Sequence, residues 1–237
     1  MARVRAFRTI ENAIRRDGYA CVAGVDEVGR GCLAGPVVAG AVALNPRKYV
    51  PHIADSKTVT AAERERLFAR IVRAAVAWSV SIVEPDEIDR LNIHHASLAA
   101  MNRAVMALSP LPDFVLVDAF TIPDLPMAQR AITHGDARCT AIAAASILAK
   151  VTRDRLMQQL HDADPRYGFA HHKGYATREH REAVAAHGYS AVHRKTFRLH
   201  GDRVVVDGTT EPTESTDPTV HGTHESHVPT YPPRGSS

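Results

Sequence analysis

The sequence predicts an α/β fold built on one mixed sheet, and three observations carry that prediction. Residues 20–26 and 35–44 are short Val- and Ala-rich runs separated by a glycine-bearing turn, and they read as neighbouring strands. Further strand-like runs then alternate with stretches of helical periodicity, as in a sheet flanked by helices. From about residue 201 Thr, Pro, Ser, Glu and His take over and apolar periodicity stops. Such a segment cannot bury enough surface to order itself, so residues 1–200 are read as the structured body and 201–237 as a disordered tail.

Each element has its own signal. Residues 61–76 place Leu67, Ile71 and Ala75 on one face and charges on the other, an amphipathic helix. Trp78 to Val83 reads as a third strand, and Ile93 to Leu108 as a second helix with His94, Ser97 and Asn102 among its polar positions. Phe114-Val115-Leu116-Val117 is a buried strand that ends in Asp118. Residues 139–160 form a long Ala-rich helix and Thr177 to Ala186 a shorter one; there is no internal repeat.

Charge is unevenly placed. The chain carries +3, but residues 201–237 hold Arg203 and Arg234 against Asp202, Asp207, Glu211, Glu214, Asp217 and Glu225. That is −4 in the tail and +7 in the body, a balance that permits a polyanionic partner. Cys21, Cys32 and Cys139 form no C-x-x-C and are odd in number, which argues against a disulfide framework or a structural zinc site and for a reducing compartment. The basic N-terminus lacks the apolar core of a signal peptide, and no segment has the apolar length of a membrane span. The expectation is a soluble, cytoplasmic, monomeric protein.

The densest chemistry lies in Gly24-Val25-Asp26-Glu27-Val28-Gly29-Arg30-Gly31-Cys32-Leu33-Ala34-Gly35-Pro36. A buried strand delivers two carboxylates to the rim of a sheet, and a Gly-Arg-Gly turn follows at once. Carboxylates there can hold Mg²⁺, and the glycines let backbone approach a ligand while Arg30 reaches phosphate or sugar. Neighbours on a strand face opposite ways, so Asp26 and Glu27 are expected to share a site through a turn of the backbone. Asp118 repeats the strand-end logic, and Gly135-Asp136-Ala137 adds an acid before the long helix, where a plain helix cap is the competing role. Asp26, Glu27, Asp118 and Asp136 together suit two divalent ions of the Mg²⁺ or Mn²⁺ kind, which activate water and stabilise the leaving oxygen in phosphodiester cleavage.

On the long helix Ser146, Lys150 and Asp154 share one face, and Lys150 and Arg153 are read as phosphate contacts oriented by Asp154. The bland reading is a solvated ion pair; a Ser146–Lys150 hydrolase dyad is set aside because Ser146 lies mid-helix without a glycine-rich nucleophile turn. Tyr167 to Tyr175, with Lys173, mixes aromatics, cations and glycine in a way that suits stacking on sugar or base beside phosphate. A zinc site of His171, His172 and His180 is set aside, since no thiol is near and such histidines are mostly surface or core residues. Gly29-x-Gly31 lacks the rest of a dinucleotide fingerprint, and there is no phosphate-binding G-x-x-x-x-G-K-S/T.

Taken together, GVDEVGRGCLAGPVVAGAV, DSKTVTAAERERL, LVDAF, HGDARCTAIAAASILAKVTRDRLM, YGFAHHKGYATREH and HRKTF resemble bacterial ribonuclease HII, the type 2 ribonuclease H, in order and across residues 20–198. The resemblance implies an RNase H-like mixed five-stranded sheet flanked by helices, with a C-terminal helical extension over the substrate groove. It implies endonucleolytic hydrolysis of RNA in RNA–DNA hybrids and at single ribonucleotides in duplex DNA, leaving 3′-hydroxyl and 5′-phosphate ends. Residue by residue it implies that Asp26, Glu27 and Asp118 bind metal and that Asp136 is the fourth catalytic acid. It further implies that Gly29, Arg30 and Gly31 sense the 2′-hydroxyl. Tyr175, with Tyr167 as the competing position, would pack on the sugar at the RNA–DNA junction. Val28 stands where Ala is more usual, and the tail matches nothing in the pattern. A type 3 ribonuclease H would carry Lys at Arg30, and a silent nucleic-acid-binding relative would have lost an acid; all four are present.

Overall fold

The computed structural model describes residues 9–53, 60–200 and 203–206. Asp55 to Val59 of the second motif and residues 207–237 of the expected tail lie outside the described residues. The chain opens with helix α1 (Thr9–Arg16), then strands β1 (Val22–Val28) and β2 (Val37–Leu44). Helix α2 (Ala61–Ala74) runs directly into β3 (Ala75–Val83), followed by α3 (Pro85–Leu91), α4 (Ile93–Met106), β4 (Phe114–Asp118) and β5 (Ala128–Ile132). After a four-residue helix α5 (Gly135–Arg138) comes α6 (Thr140–Ala163), then α7 (Phe169–His172), α8 (Arg178–His187) and the hairpin β6 (Phe197–His200) and β7 (Arg203–Val206).

The sheet order is β3-β2-β1-β4-β5. β1–β2 and β2–β3 pair antiparallel, β1–β4 and β4–β5 parallel, which is the mixed five-stranded sheet expected. β1 and β4 therefore end at the same rim. Alternation along the strands sorts the core into two layers. Ala23, Val25, Ala39, Ala41, Val115 and Val117 pack with α4, while Val42, Leu116 and Phe114 face α6, α2 and α1.

Two local features explain how α6 sits so near the sheet. A Cβ at Gly24 would run into the Ala141 backbone and one at Gly40 into the Ala145 carbonyl. Glycine on the strand and alanine on the helix let the two backbones approach, which fixes α6 over the rim of β1. A capping box of Thr60 and Glu63 starts α2, and Asn92 caps α4 by accepting from the His95 amide.

Several elements depart from the sequence reading, among them the following three. α2 stops at Ala74 rather than residue 76, because Ala75 is already extended and begins a strand whose burial alternates. The fifth strand, β5, was not located in the sequence: its residues Ala-Gln-Arg-Ala-Ile make an edge strand with little burial and no apolar run. The body also continues past residue 200, since Arg203–Val206 pairs with Phe197–His200 and Val206 packs on the main core. Its Val-Val-Val run is an ordinary strand signal diluted by the polar composition around it. Among the described residues no helix is long and apolar enough to cross a membrane.

Candidate active site

β1 and β4 bring three acids to one rim. The ladder between them closes at Val25–Val117, one residue short of Asp26 and Asp118. The expected turn between Asp26 and Glu27 is absent: β1 stays paired with β2 through Val28–Val38, so the two side chains leave opposite faces. Beyond Val25–Val117 β4 no longer covers that edge of β1, and the charges of Glu27 and Asp118 both act on Asp26 there. Asp26 is directed to α6, where the Ser146 side chain hydrogen-bonds to it, and its Oδ1 accepts from the Glu27 amide at 2.8 Å. Glu27 meets the Arg30 guanidinium at 3.4 Å. Asp118 Oδ1 accepts from the Gly135 amide at 2.7 Å. The chain reverses immediately after it through Ala119, which holds a left-handed φ of 57° that a residue with a side chain rarely adopts.

The electrostatics follow from that packing. Burial first, then the charges of Glu27 and Asp118, pushes the Asp26 carboxyl well above its usual range, outweighing Ser146 and the Glu27 amide. Glu27 is raised too, by burial first and, against the pull of Arg30, by Asp118. Carboxylates that repel one another at an open rim are a donor set for a hard divalent cation, so the residues fit the metal that the fold implies. Among the described residues no three His, Cys, Asp or Glu side chains form a ready-made metal cage. Asp136 lies in α5, next in sequence to the Gly135 that donates to Asp118. It does not cap α6. Cys139 holds the N-cap position of that helix without a side-chain cap, and the Ala141 amide is met by Glu11 of α1 at 3.0 Å.

The turn after the acids lies against this rim. Gly29 has φ +98° and a Cβ there would strike the Arg153 side chain, so only glycine fits. Gly31 is exposed, with open space where a Cβ would be. The Arg30 guanidinium lies 4.9 Å over the Phe120 ring, which aims it across the rim. Tyr175 bridges to Cys32 of the same turn and is 42% exposed, whereas Tyr167 is 2% exposed and stacks on Phe169. The structure thus puts Tyr175 at the surface beside the Gly-Arg-Gly turn and Tyr167 in the core.

Several expected contacts are placed elsewhere. Arg153 is fully buried, its guanidinium donating to the carbonyls of Pro36 (2.9 Å), Lys173 (2.9 Å) and Ala34 (3.2 Å), so it cannot touch phosphate. Its position on the stripe Ala145, Ala149, Arg153, Met157 was the available signal, a cation on the buried face of a helix. Lys150 is half-buried and donates to Asp154 at 2.7 Å, while Ser146 turns to Asp26, so no Ser–Lys dyad forms. Lys173 contributes its carbonyl to Arg153 and is partly exposed near Tyr175. The histidine zinc reading also fails geometrically: His171 is exposed, and both ring nitrogens of His172 and of His180 are engaged within the protein. Sequence reasoning met Arg194 and His193 only as part of the HRKTF motif and gave them no role; both are buried and both contact the turn or its support.

A family model described as ribonuclease HII matches residues 23–204. The ribonuclease HII of Aliivibrio fischeri is 50% identical over 182 residues, covering 77% of this chain and 88% of that protein. The ribonuclease HII of Mycolicibacterium vanbaalenii is 48% identical over 207 residues, covering 86% and 83%. Among solved structures, ribonuclease HII in the complex with PCNA from Archaeoglobus fulgidus superposes with a TM-score of 0.67 at 25% identity, covering 76% of this chain and 96% of that one. The chain belongs to the ribonuclease HII family and is a metal-dependent endoribonuclease.

Proposed function

We propose that this ribonuclease HII hydrolyses the RNA strand of RNA–DNA hybrids and nicks duplex DNA on the 5′ side of an embedded ribonucleotide, leaving 3′-hydroxyl and 5′-phosphate ends. The observation that carries this reading is the rim itself: the buried carboxyls of Asp26 and Glu27, each raised by the charge of a partly buried Asp118, beside a backbone turn with open space at Gly31. Asp26, Glu27 and Asp118 would hold two Mg²⁺ or Mn²⁺ ions, with Asp136 assisting from α5. Metal bound there would supply a nucleophilic water and charge neutralisation of the leaving oxygen.

The chain's own groups do the rest. Arg30, Lys150 and Lys173, each partly exposed, are read as the cations that would meet phosphates around the scissile bond. Gly29, Arg30 and Gly31 present backbone to the sugar, where the 2′-hydroxyl alone marks RNA. Tyr175 packs on the neighbouring sugar. Discrimination then resides in catalysis more than in affinity, because duplex phosphates supply most of the binding. Ser146 holds Asp26 in place and has no nucleophilic part.

The test is cleavage of a duplex carrying one ribonucleotide at a known position, with Mg²⁺, Mn²⁺ or chelator. The expected result is a metal-dependent nick on the 5′ side of the ribonucleotide and none in the all-DNA duplex. Equal cutting of both duplexes, or cutting in chelator, would overturn the reading. Tyr175→Ala should slow that nick by about tenfold or more, roughly 1–3 kcal/mol, and leave affinity for plain duplex nearly unchanged.

A further inference from the structure

The conformation of the Gly-Arg-Gly turn is dictated by a side chain more than 160 residues away in sequence. Arg194 is fully buried and spends its guanidinium on the turn: Nη1 donates to the Arg30 carbonyl at 2.7 Å, and Nη2 to the Gly29 carbonyl at 2.6 Å. Nη2 and Nε also hold the Gly35 carbonyl at 2.9 and 3.1 Å, which ties both ends of the β1–β2 connection to one planar group. The guanidinium is fixed in turn. The Arg194 amide donates to the Leu33 carbonyl at 2.9 Å, and the cation lies 4.9 Å over the Phe197 ring of the main core.

A peptide unit is planar and trans, so its carbonyl and amide point to opposite sides. With the Arg30 carbonyl drawn inward to Arg194, the Gly31 amide of the same peptide unit points away from the clamp, toward the exposed side of the turn. Desolvation lowers the Arg194 pKa to about 10, so it remains a cation at neutral pH. A buried cation held by carbonyl dipoles is a weak source of stability compared with an apolar side chain of that volume. What this one supplies is orientation.

We propose that Arg194 is a positioning residue that turns the Gly31 amide toward the substrate and thereby sets the enzyme's preference for a ribonucleotide. The inference rests on the reading of the turn given above. It goes beyond that reading in assigning the orientation to one side chain outside the turn. Arg153 acts beside it, joining the Ala34 and Pro36 carbonyls to that of Lys173 and so locking the turn to the Tyr175 segment.

The test uses the full chain with Arg194→Lys, which keeps a cation but gathers its donors at one point instead of a planar fork, and Arg194→Ala with added methylguanidinium. Arg194→Lys should lower kcat at a single ribonucleotide by about ten- to a hundredfold, with KM and plain-duplex affinity within about threefold. Its Gly31 amide resonance should shift in a ¹⁵N-labelled sample. Methylguanidinium should restore part of the rate to Arg194→Ala. Parent kcat in Arg194→Lys, or a loss confined to KM, overturns the proposal. If Arg194→Ala does not fold, Arg194→Lys decides alone. If the parent itself fails to distinguish ribo- from deoxyribonucleotide, the reading of the turn has failed. The resonance then decides separately: unmoved, it overturns the clamp; shifted, it upholds the clamp.

Discussion

The carboxyls of Asp26 and Glu27 and the imidazoles of His180 and His193 are alike in being buried groups whose neutral form the fold favours. They differ in what surrounds their polar atoms. His180 Nδ1 meets the Tyr175 carbonyl at 2.9 Å and its Nε2 meets His193 Nε2 at 3.0 Å, while His193 Nδ1 takes the Ser190 amide at 3.0 Å and hydroxyl at 2.8 Å. One tautomer satisfies the whole chain: His180 Nδ1–H donates to Tyr175, and His193 Nε2–H donates to His180. Burial pushes both imidazoles down to about 4, and stacking on His172 at 4.3 Å and contact with Phe169 complete the layer. The carboxylates, by contrast, stand at an open rim and repel one another. A titratable cluster whose hydrogen bonds close on themselves is structural; one whose charges oppose each other at a surface is set for an ion.

The largest effect separating the two clusters should come from Asp118→Asn. It should cut activity by about a hundredfold or more while folding is kept, as gel filtration and circular dichroism alongside the nicking assay would show. Near-normal turnover would remove Asp118 from the site. The histidine layer should respond in the opposite sense. His193→Ala strands His180 Nε2 in a buried position and opens a cavity, so it should cost about 2–4 kcal/mol in urea unfolding. A variant as stable as the parent would mean the layer contributes little.

Acid sharpens the comparison. His193 has a folded pKa of about 4 against an ordinary 6.5, so the unfolded chain takes up its proton first as pH falls. The stability that His193 confers is complete above pH 6.5 and is lost as pH falls toward 4, by up to about 1.4 kcal/mol per pH unit. The stability gap between parent and His193→Ala should therefore narrow across that window; a constant gap would show that His193 is not held neutral. The smallest effect should be removal of residues 208–237. Turnover should stay within about twofold, since the polar, net-acidic composition of the segment predicts neither core nor attraction to a polyanion. A cut after residue 201 should instead destabilise, because it removes β7 and the Val206 contact with the core.

Much of this was legible in the chain. β1, β2 and β4 announce themselves as apolar runs, and Asp26 and Asp118 fall where those runs stop. What could not be read was which cations face inward. Arg153 and Arg194 look like ordinary surface charge in a positive body, and only the folded arrangement shows that their partners are carbonyls from the other end of the sequence. Nor could spacing tell Tyr167 from Tyr175, which lie eight residues apart yet divide between core and surface. The way Asp26 and Glu27 share a rim is hidden in the sequence for a related reason, since it depends on where the neighbouring strand β4 ends and not on a turn of their own backbone.

The central claim, that the three acids form a site strained by its own charge and relieved by a divalent ion, is met most directly by thermal melting near pH 7.5 of the parent and Asp118→Asn, in chelator and in Mn²⁺. The account predicts that Mn²⁺ raises the Tm of the parent, that this rise largely disappears in Asp118→Asn, and that Asp118→Asn in chelator melts at or above the parent. A variant that melts well below the parent in chelator yet keeps the full rise with Mn²⁺ would contradict it.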